Sequence, residues 1–114
     1  MRVAKIPLRV VFYKEGEDWI AHCLEFDLIG DGRTREEALE SLKEATDIQI
    51  GASIEHNNPD NLFCPAAGKY FLMFAQGKHV CVGELNPNVD ALMDVLTVEG
   101  VEQREFDDSE MALA

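Results

Sequence analysis

Alternating apolar and polar positions predict a β-strand over residues 5–14, in which successive side chains point to opposite faces. One face is fully apolar and consists of Ile6, Leu8, Val10 and Phe12, with Pro7, Arg9, Val11 and Tyr13 on the other face. Because proline lacks a backbone N–H, Pro7 indicates that the strand begins at a sheet edge or joins the sheet late. Residues 14–18, which contain Gly16 among charged residues, are typical of a hairpin loop.

A return strand follows over residues 19–24. Its two faces are Trp19, Ala21 and Cys23, and Ile20, His22 and Leu24. Both faces contain apolar residues, so the pattern leaves open which one lies inward. Residues 25–27 form a predicted turn, and a short third strand over residues 28–31 leads into a helix.

Residues 30–48 predict a sharp turn followed by a capped amphipathic helix over residues 34–50. Gly30 and Gly32 allow the chain to turn. The hydroxyl of Thr34 is a good N-cap acceptor, and Glu37, three residues later, can complete a capping box.

The two faces of this helix differ sharply. The apolar stripe predicted to cover the sheet consists of Ala38, Leu39, Leu42, Ala45 and Thr46. The opposite face is charged and carries Glu36, Glu40, Lys43, Glu44 and Asp47. Its like-charge pairs four residues apart each cost about 0.2–0.5 kcal/mol. This face is either a solvated surface or a binding surface for a basic partner, with Glu36, Glu40, Glu44 and Asp47 as the candidate residues.

Apolar residues beyond the clean pattern predict a further interface. Ile50 and Ile54 drift from the core stripe, so either the helix bends at Gly51 or these isoleucines meet another layer or a second subunit. One helix on a small sheet does not easily cover all the apolar side chains. We therefore expect a homo-oligomer with Ile50, Ile54, Tyr70, Phe71 and Phe74 at the interface.

The sequence pattern of the second half of the chain predicts an extension of the same domain. A loop is predicted over residues 55–65, a short helix over 66–76, a strand over 79–85, a helix over 89–96 and a strand over 101–106. The expected fold is α+β: a small antiparallel sheet with a β-β-β-α-β core and one main helix on one face. We expect a single domain over residues 1–106, with a core at 5–55 and an extension at 66–106, and an acidic tail over 107–114.

The net charge of −12, from 22 acidic and 10 basic residues, argues against direct binding to nucleic acids or to an anionic membrane. No apolar run is long enough to span a bilayer, and no signal peptide is recognised. Three widely spaced cysteines, Cys23, Cys64 and Cys81, do not form a disulfide framework. We therefore expect a cytoplasmic protein with reduced thiols.

Few residues are candidates for chemistry. Glu25, Asp27 and Asp31 cluster around the second and third strands and are the only carboxylates that suggest a metal-dependent nuclease. His79 and Cys81 share a strand face but lack the second ligand pair that a zinc site needs. No nucleophile, phosphate-loop or zinc-protease motif is present, so no cofactor and no metal are expected.

The pattern resembles the HicB-like antitoxin domain. The resemblance lies in the aromatic-led return strand, an acidic turn, and the helix opening at Gly32, Thr34, Glu36, Glu37, Ala38 and Leu39. It covers roughly residues 5–50. The turn at residues 24–28 lacks the prolines of that family, and the acidic C-terminal third lacks its DNA-binding module.

The resemblance implies a β-β-β-α-β arrangement, a partial ribonuclease H-like fold without the nuclease site. It also implies a non-enzymatic role: the capture of a small basic toxin of the HicA type. Two other hypotheses stay open. One is a divergent nuclease that uses Glu25, Asp27 and Asp31, and the other is an oligomeric module that binds only itself.

Overall fold

A computed structural model describes residues 4–56, 64–86 and 96–107 of the chain. These residues form one five-stranded sheet in the order β3-β2-β1-β5-β4, with two helices. The strands are β1 (Ala4–Glu15), β2 (Asp18–Cys23), β3 (Leu28–Gly32), β4 (Lys78–His79) and β5 (Leu96–Glu105), and the helices are α1 (Arg35–Glu55) and α2 (Gly68–Gln76). The predicted α+β class and the β-β-β-α-β core are confirmed.

The sheet is mixed, whereas the sequence predicted a purely antiparallel one. β1 pairs with β2, β2 with β3, and β4 with β5 in antiparallel fashion, but β5 lies parallel to β1. A parallel pair needs a long crossover, and the described chain between β1 and β5 contains three strands and both helices. The period of two along each strand carries no information about strand direction, which is why the sequence missed this feature.

Pro7 lies where β1 has no neighbour on one side. β2 pairs with β1 only from Val10 onwards, so the side of Pro7 towards β2 has no ladder to interrupt. On the other side the register with β5 slips between Ile6 and Pro7, which oppose Val98 and Gly100. Glu99 is therefore the extra residue of a bulge. The expectation that the strand begins at a sheet edge or joins late holds only on the side of β2, because β1 is already paired with β5 from Ala4.

Both faces of the sheet are buried, which answers the question that the return strand left open. A first cluster packs the face under α1 and contains Leu8, Val10, Phe12, Ala21, Cys23, Phe26, Ala38, Leu39, Leu42, Ile50 and Leu85. A second cluster packs the face under α2 and contains Val11, Tyr13, Ile20, Leu24, Ala66, Phe74 and Phe106. The two faces of β2 are therefore both inward, one towards each helix.

The main helix is longer than the predicted 34–50. It passes through Gly51 without ending and reaches Glu55. Its predicted apolar stripe is buried apart from Ala45, which is half-buried. Ile50 extends the stripe into the first cluster.

The C-terminal half only partly follows the predicted elements. α2 confirms the predicted helix, and β5 confirms the last strand but begins earlier, at Leu96. The strand predicted over residues 79–85 is wrong beyond His79. There the side-chain amide of Gln103 replaces the ladder, accepting from the nitrogen of Val82 at 3.1 Å and donating to the oxygen of Gly83 at 2.6 Å. The helix predicted over 89–96 falls outside the described residues up to residue 95, and so does the tail beyond Asp107.

Candidate functional site

The outer face of α1 carries the predicted acidic surface. Glu36, Glu40, Glu44 and Asp47 are all exposed there. Lys43 reaches Glu40 at 3.4 Å, which is a weak surface pair. Within the described part of the chain, the other three carboxylates form no ion pair and no side-chain hydrogen bond, so most of this charge is not compensated.

The start of α1 is fixed by its cap and by the strand beneath it. The hydroxyl of Thr34 accepts from the nitrogen of Glu37 at 3.1 Å, so the predicted N-cap is confirmed. The carboxylate of Glu37 accepts from the nitrogen of Arg33 at 3.0 Å rather than from that of Thr34. On the inner side, a Cβ atom on Gly32 would stand 2.5 Å from the Cβ of Glu37. The helix that carries the acidic residues is therefore capped at its start and packed closely against β3.

Two exposed isoleucines border the acidic surface towards the end of α1. Ile48 is 73% exposed and Ile54 is 42% exposed, with Gly51 between them and open space in front of it. The two isoleucines lie six residues apart and add exposed apolar area to the charged side of the helix. We refer to Glu36, Glu40, Glu44, Asp47, Ile48 and Ile54 together as the outer face of α1.

A chain of three polar side chains crosses the second cluster, and sequence reasoning missed it. The ring of His22, which is 1% exposed, lies between Tyr13 and Asp27. The Tyr13 hydroxyl is 3.2 Å from His22 Nδ1, and His22 Nε2 is 2.8 Å from Asp27 Oδ1. Tyr70 of α2 packs edge-on against the His22 ring, with centroids 4.5 Å apart. The only signal in the sequence was a histidine on an otherwise apolar strand.

The geometry of this chain assigns its protons. Burial, followed by the neighbouring Tyr70 and the carboxylates of Glu15 and Asp27, raises the pKa of Tyr13 far above its usual range. Tyr13 therefore keeps its proton, and its hydroxyl hydrogen-bonds to Nδ1 of His22. The carboxylate of Asp27 can only accept, so Nε2 of His22 donates to it. A tyrosine with a raised pKa is a poor nucleophile. These side chains link β1, β2 and the turn before β3, and Tyr70 packs against them from α2.

The turn residue Asp27 adopts a positive φ of 50°. This is the left-handed region, which aspartate tolerates better than most side chains. Its carboxylate is 46% exposed, so it has one side on His22 and one side in water. Asp27 is thus the surface end of the polar chain.

The three carboxylates predicted for a nuclease do not gather. Glu25 is buried and accepts from both the backbone nitrogen and the Nε of Arg9, each at 2.7 Å. Asp27 binds His22, and Asp31 is exposed on β3. Within the described ranges, no group of three or more His, Cys, Asp or Glu side chains is arranged to hold a metal ion. The nuclease hypothesis therefore has no structural support, because Glu25 is paired with Arg9, Asp27 is paired with His22, and Asp31 lies apart from both on β3.

The apolar residues predicted for an oligomer interface are mostly used within the chain. Ile50 and Phe74 are buried, in the first and second clusters respectively. Tyr70 and Phe71 are half-buried on the sheet, where the ring of Phe71 lies 5.1 Å from the guanidinium carbon of Arg9. Of the five, Ile54 alone is exposed. The interface itself stays a prediction.

Neither described helix combines the length and apolarity that a membrane-spanning segment needs. Cys64 and Cys81 are exposed and Cys23 is buried, all as free thiols. Burial raises the pKa of the Cys23 thiol to about 12, so this cysteine is unreactive at neutral pH.

Known proteins similar to this chain are few and distant. No family model and no curated protein matches the chain. Among solved structures, the antitoxin part of a proposed toxin/antitoxin system from Syntrophomonas wolfei subsp. wolfei is similar, with 17% identity and a TM-score of 0.41. The match covers 83% of this chain, which spans 64% of that protein. A similarity of this size carries no functional argument.

Proposed function

We propose that this chain is a non-enzymatic protein-interaction domain that neutralises a small basic toxin, as an antitoxin of the HicB-like type does. The outer face of α1 carries the proposal. Its carboxylates, Glu36, Glu40, Glu44 and Asp47, line the open side of a helix whose other side is anchored in the first cluster.

The electrostatics of this face favour a basic protein partner. Carboxylates at spacings of four residues repel one another and weaken the helix slightly. A positively charged partner would relieve that repulsion, since among the described residues Glu40 is the one of these four carboxylates that is paired with a cation. Complementary charge raises the association rate and makes it sensitive to salt. The adjacent Ile48 and Ile54 add the apolar contact area that charge alone does not supply.

The sequence resemblance supports the same proposal. The residues that carry it, from Gly32 to Leu39, form the turn, the cap and the first buried positions of α1. The order of β1, β2, β3, α1 and β5 agrees with the β-β-β-α-β arrangement that the resemblance implies. The three free cysteines suit a cytoplasmic location, where thiols stay reduced.

Charge reversal on the outer face tests the proposal. We expect the Glu40→Lys/Glu44→Lys variant to fold normally, because both side chains are exposed. It should lose a basic protein that co-purifies with the wild type from the native cell at low salt. Raising the salt towards 1 M, where the screening length falls to about 3 Å, should release that protein from the wild type as well.

The control is Glu15→Lys/Glu17→Lys, which makes the same change of charge in the exposed β1–β2 hairpin. A basic protein retained by the control and lost by the α1 variant supports the outer face of α1 as the binding surface. Equal retention by all three proteins would exclude that surface, and the absence of any basic partner would contradict the antitoxin function.

Self-association stays a separate prediction. Because Ile50 and Phe74 are buried within the chain, Ile54 is the exposed member of the predicted set. The other large apolar side chains exposed among the described residues are Ile29, Ile48 and Leu72. Sedimentation of the purified protein measures self-association directly, and a monomer at tens of micromolar would contradict it.

A further inference from the structure

The open edge of the sheet at β3 is a second surface that no part of the described chain covers. β3 occupies the end of the sheet order and pairs with β2 on one side only. Its other side therefore presents backbone N–H and C=O groups that can pair with an added strand. Natural edges are commonly protected by a short strand, by charged side chains (lysine above all), by proline or by a bulge. β3 is short and carries Asp31, but it has no lysine, no proline and no bulge: its sequence is Leu-Ile-Gly-Asp-Gly, and its register with β2 is regular.

The side chains along this edge form a simple pattern. Ile29 and Asp31 oppose His22 and Ile20 in the register, so both point to the face of the sheet that carries the second cluster. Ile29 is 49% exposed, although it stands in a strand. Asp31 is exposed and forms no ion pair within the described ranges. With Asp27 at the preceding turn, the edge presents acid, apolar and acid at intervals of two residues.

The packing of α1 argues against a second copy of this chain as the occupant. α1 lies directly over β3, since a Cβ atom on Gly30 would stand 2.4 Å from the oxygen of Ala38. Paired strands are about 4.8 Å apart, whereas packed helices need 8–10 Å between their axes. Pairing β3 with its own copy would therefore leave too little room for the two α1 helices wherever both lie on the same face of the joined sheet. A strand that pairs with β3 must therefore belong to a segment that has no helix on the face of the sheet covered by α1.

We propose that the β3 edge binds an extended basic segment of a partner protein as a sixth strand. The segment would place an apolar residue beside Ile29 and a lysine or arginine two positions away on each side, near Asp27 and Asp31. Backbone pairing supplies affinity, and the alternate side chains supply specificity. This inference rests on the proposed function, because the partner is the same basic protein. It adds that an extended segment of that protein binds at β3, beside the outer face of α1.

A short peptide tests the edge without the natural partner. The probe is the acetylated and amidated peptide Thr-Lys-Thr-Val-Thr-Lys-Thr, added to the isotopically labelled full chain and followed by the amide shifts of the protein. We expect the largest shifts at residues 28–32. Two matched peptides are N-methylated, one on the lysine and valine nitrogens and one on the inner threonine nitrogens. Because alternate amides point to opposite sides, one of these two should bind at least about tenfold more weakly and the other nearly normally.

Matched protein variants locate the site. Ile29→Lys/Asp31→Lys changes the edge, and Ile48→Lys/Glu44→Lys makes the same change of charge on the outer face of α1, with a glutamate in place of the aspartate. All four positions are exposed, so both variants should keep the circular dichroism and melting temperature of the wild type within a few degrees. We expect the edge variant to bind the peptide at least about tenfold more weakly and the α1 variant to bind it unchanged.

Three results would overturn the proposal: no shifts at millimolar peptide, equal binding of both N-methylated peptides, or loss of binding in the α1 variant alone. These results are distinct from a failure of the proposed function. If a basic partner co-purifies from the native cell but the peptide does not bind at β3, the proposed function is supported and the proposed strand addition at β3 is excluded. If the peptide binds at β3 but no basic partner is found in the cell, strand addition at β3 is supported and the proposed antitoxin function is contradicted.

Discussion

Gly30 of β3 lies directly against the backbone of Leu42 in α1. A Cβ atom placed on Gly30 would stand 2.2 Å from the nitrogen of Leu42, a distance that real side chains do not adopt. The obstructing atoms belong to helix backbone, so no flexible side chain can move aside. This one contact sets how closely the helix that carries the acidic face can approach the sheet.

Replacing Gly30 with alanine should therefore push α1 away from β3. We expect Gly30→Ala to lower the free energy of unfolding by about 1–3 kcal/mol, the usual cost of overpacking a core. Urea unfolding of the variant and the wild type measures it. A free energy equal to that of the wild type would mean that α1 does not pack on β3 as described.

Gly51 is the matched control, because it lies within α1 with nothing near its added Cβ atom. There the substitution only reduces the freedom of the unfolded chain and improves helix propensity. Gly51→Ala should raise the free energy of unfolding by about 0.4–1 kcal/mol. The two glycine variants should thus differ in sign, and a loss of stability in Gly51→Ala would contradict a continuous helix.

The polar chain through His22 should be sensitive to the loss of a single oxygen. Tyr13→Phe leaves the buried Nδ1 of His22 without its hydrogen-bond partner, so we expect a loss of about 1–3 kcal/mol in the free energy of unfolding. Tyr70→Phe is the control. The Tyr70 ring packs on His22, but its hydroxyl makes no hydrogen bond within the described residues, so this change should cost much less. Similar losses for both would mean that ring packing, not the hydrogen bond, matters.

Cys23 predicts a specific loss of stability in alkaline solution. Burial raises the pKa of its thiol to about 12 in the folded chain, above its usual value of about 8.5. The unfolded chain therefore loses this proton first. The stabilisation is fully present below about pH 8.5 and declines as the pH rises towards 12.

The Cys23→Ala variant isolates this effect, since other titrating groups cancel in the comparison. We expect the stability difference between wild type and variant to shrink by up to about 1.4 kcal/mol per pH unit above pH 8.5. Cys81→Ala is the control, because its side chain is exposed and folding barely changes its solvation. A difference for Cys23→Ala that stays constant up to pH 11 would contradict a buried, protonated thiol.

Local patterns were sufficient for much of the fold. The alternation along β1, the cap at Thr34 and the apolar stripe from Ala38 to Thr46 were all read from the sequence and confirmed. The exposed positions of the acidic residues on α1 followed from the same helical period. The role of these residues in binding stays a prediction, because exposure alone does not identify a partner.

The sequence by itself determined which residues share a face, because side-chain direction within one strand or helix depends only on local backbone geometry. The tertiary structure decided everything that depends on distant residues meeting. In the tertiary structure β5 lies parallel to β1 and Ile50 is buried in the first cluster. Near Val82, the side chain of Gln103 makes hydrogen bonds in place of backbone strand pairing. The tertiary structure also joined Tyr13 to His22 and separated Glu25 from Asp31. These contacts form between parts of the chain whose sequence separation hides them, since long-range packing, not local propensity, stabilises them.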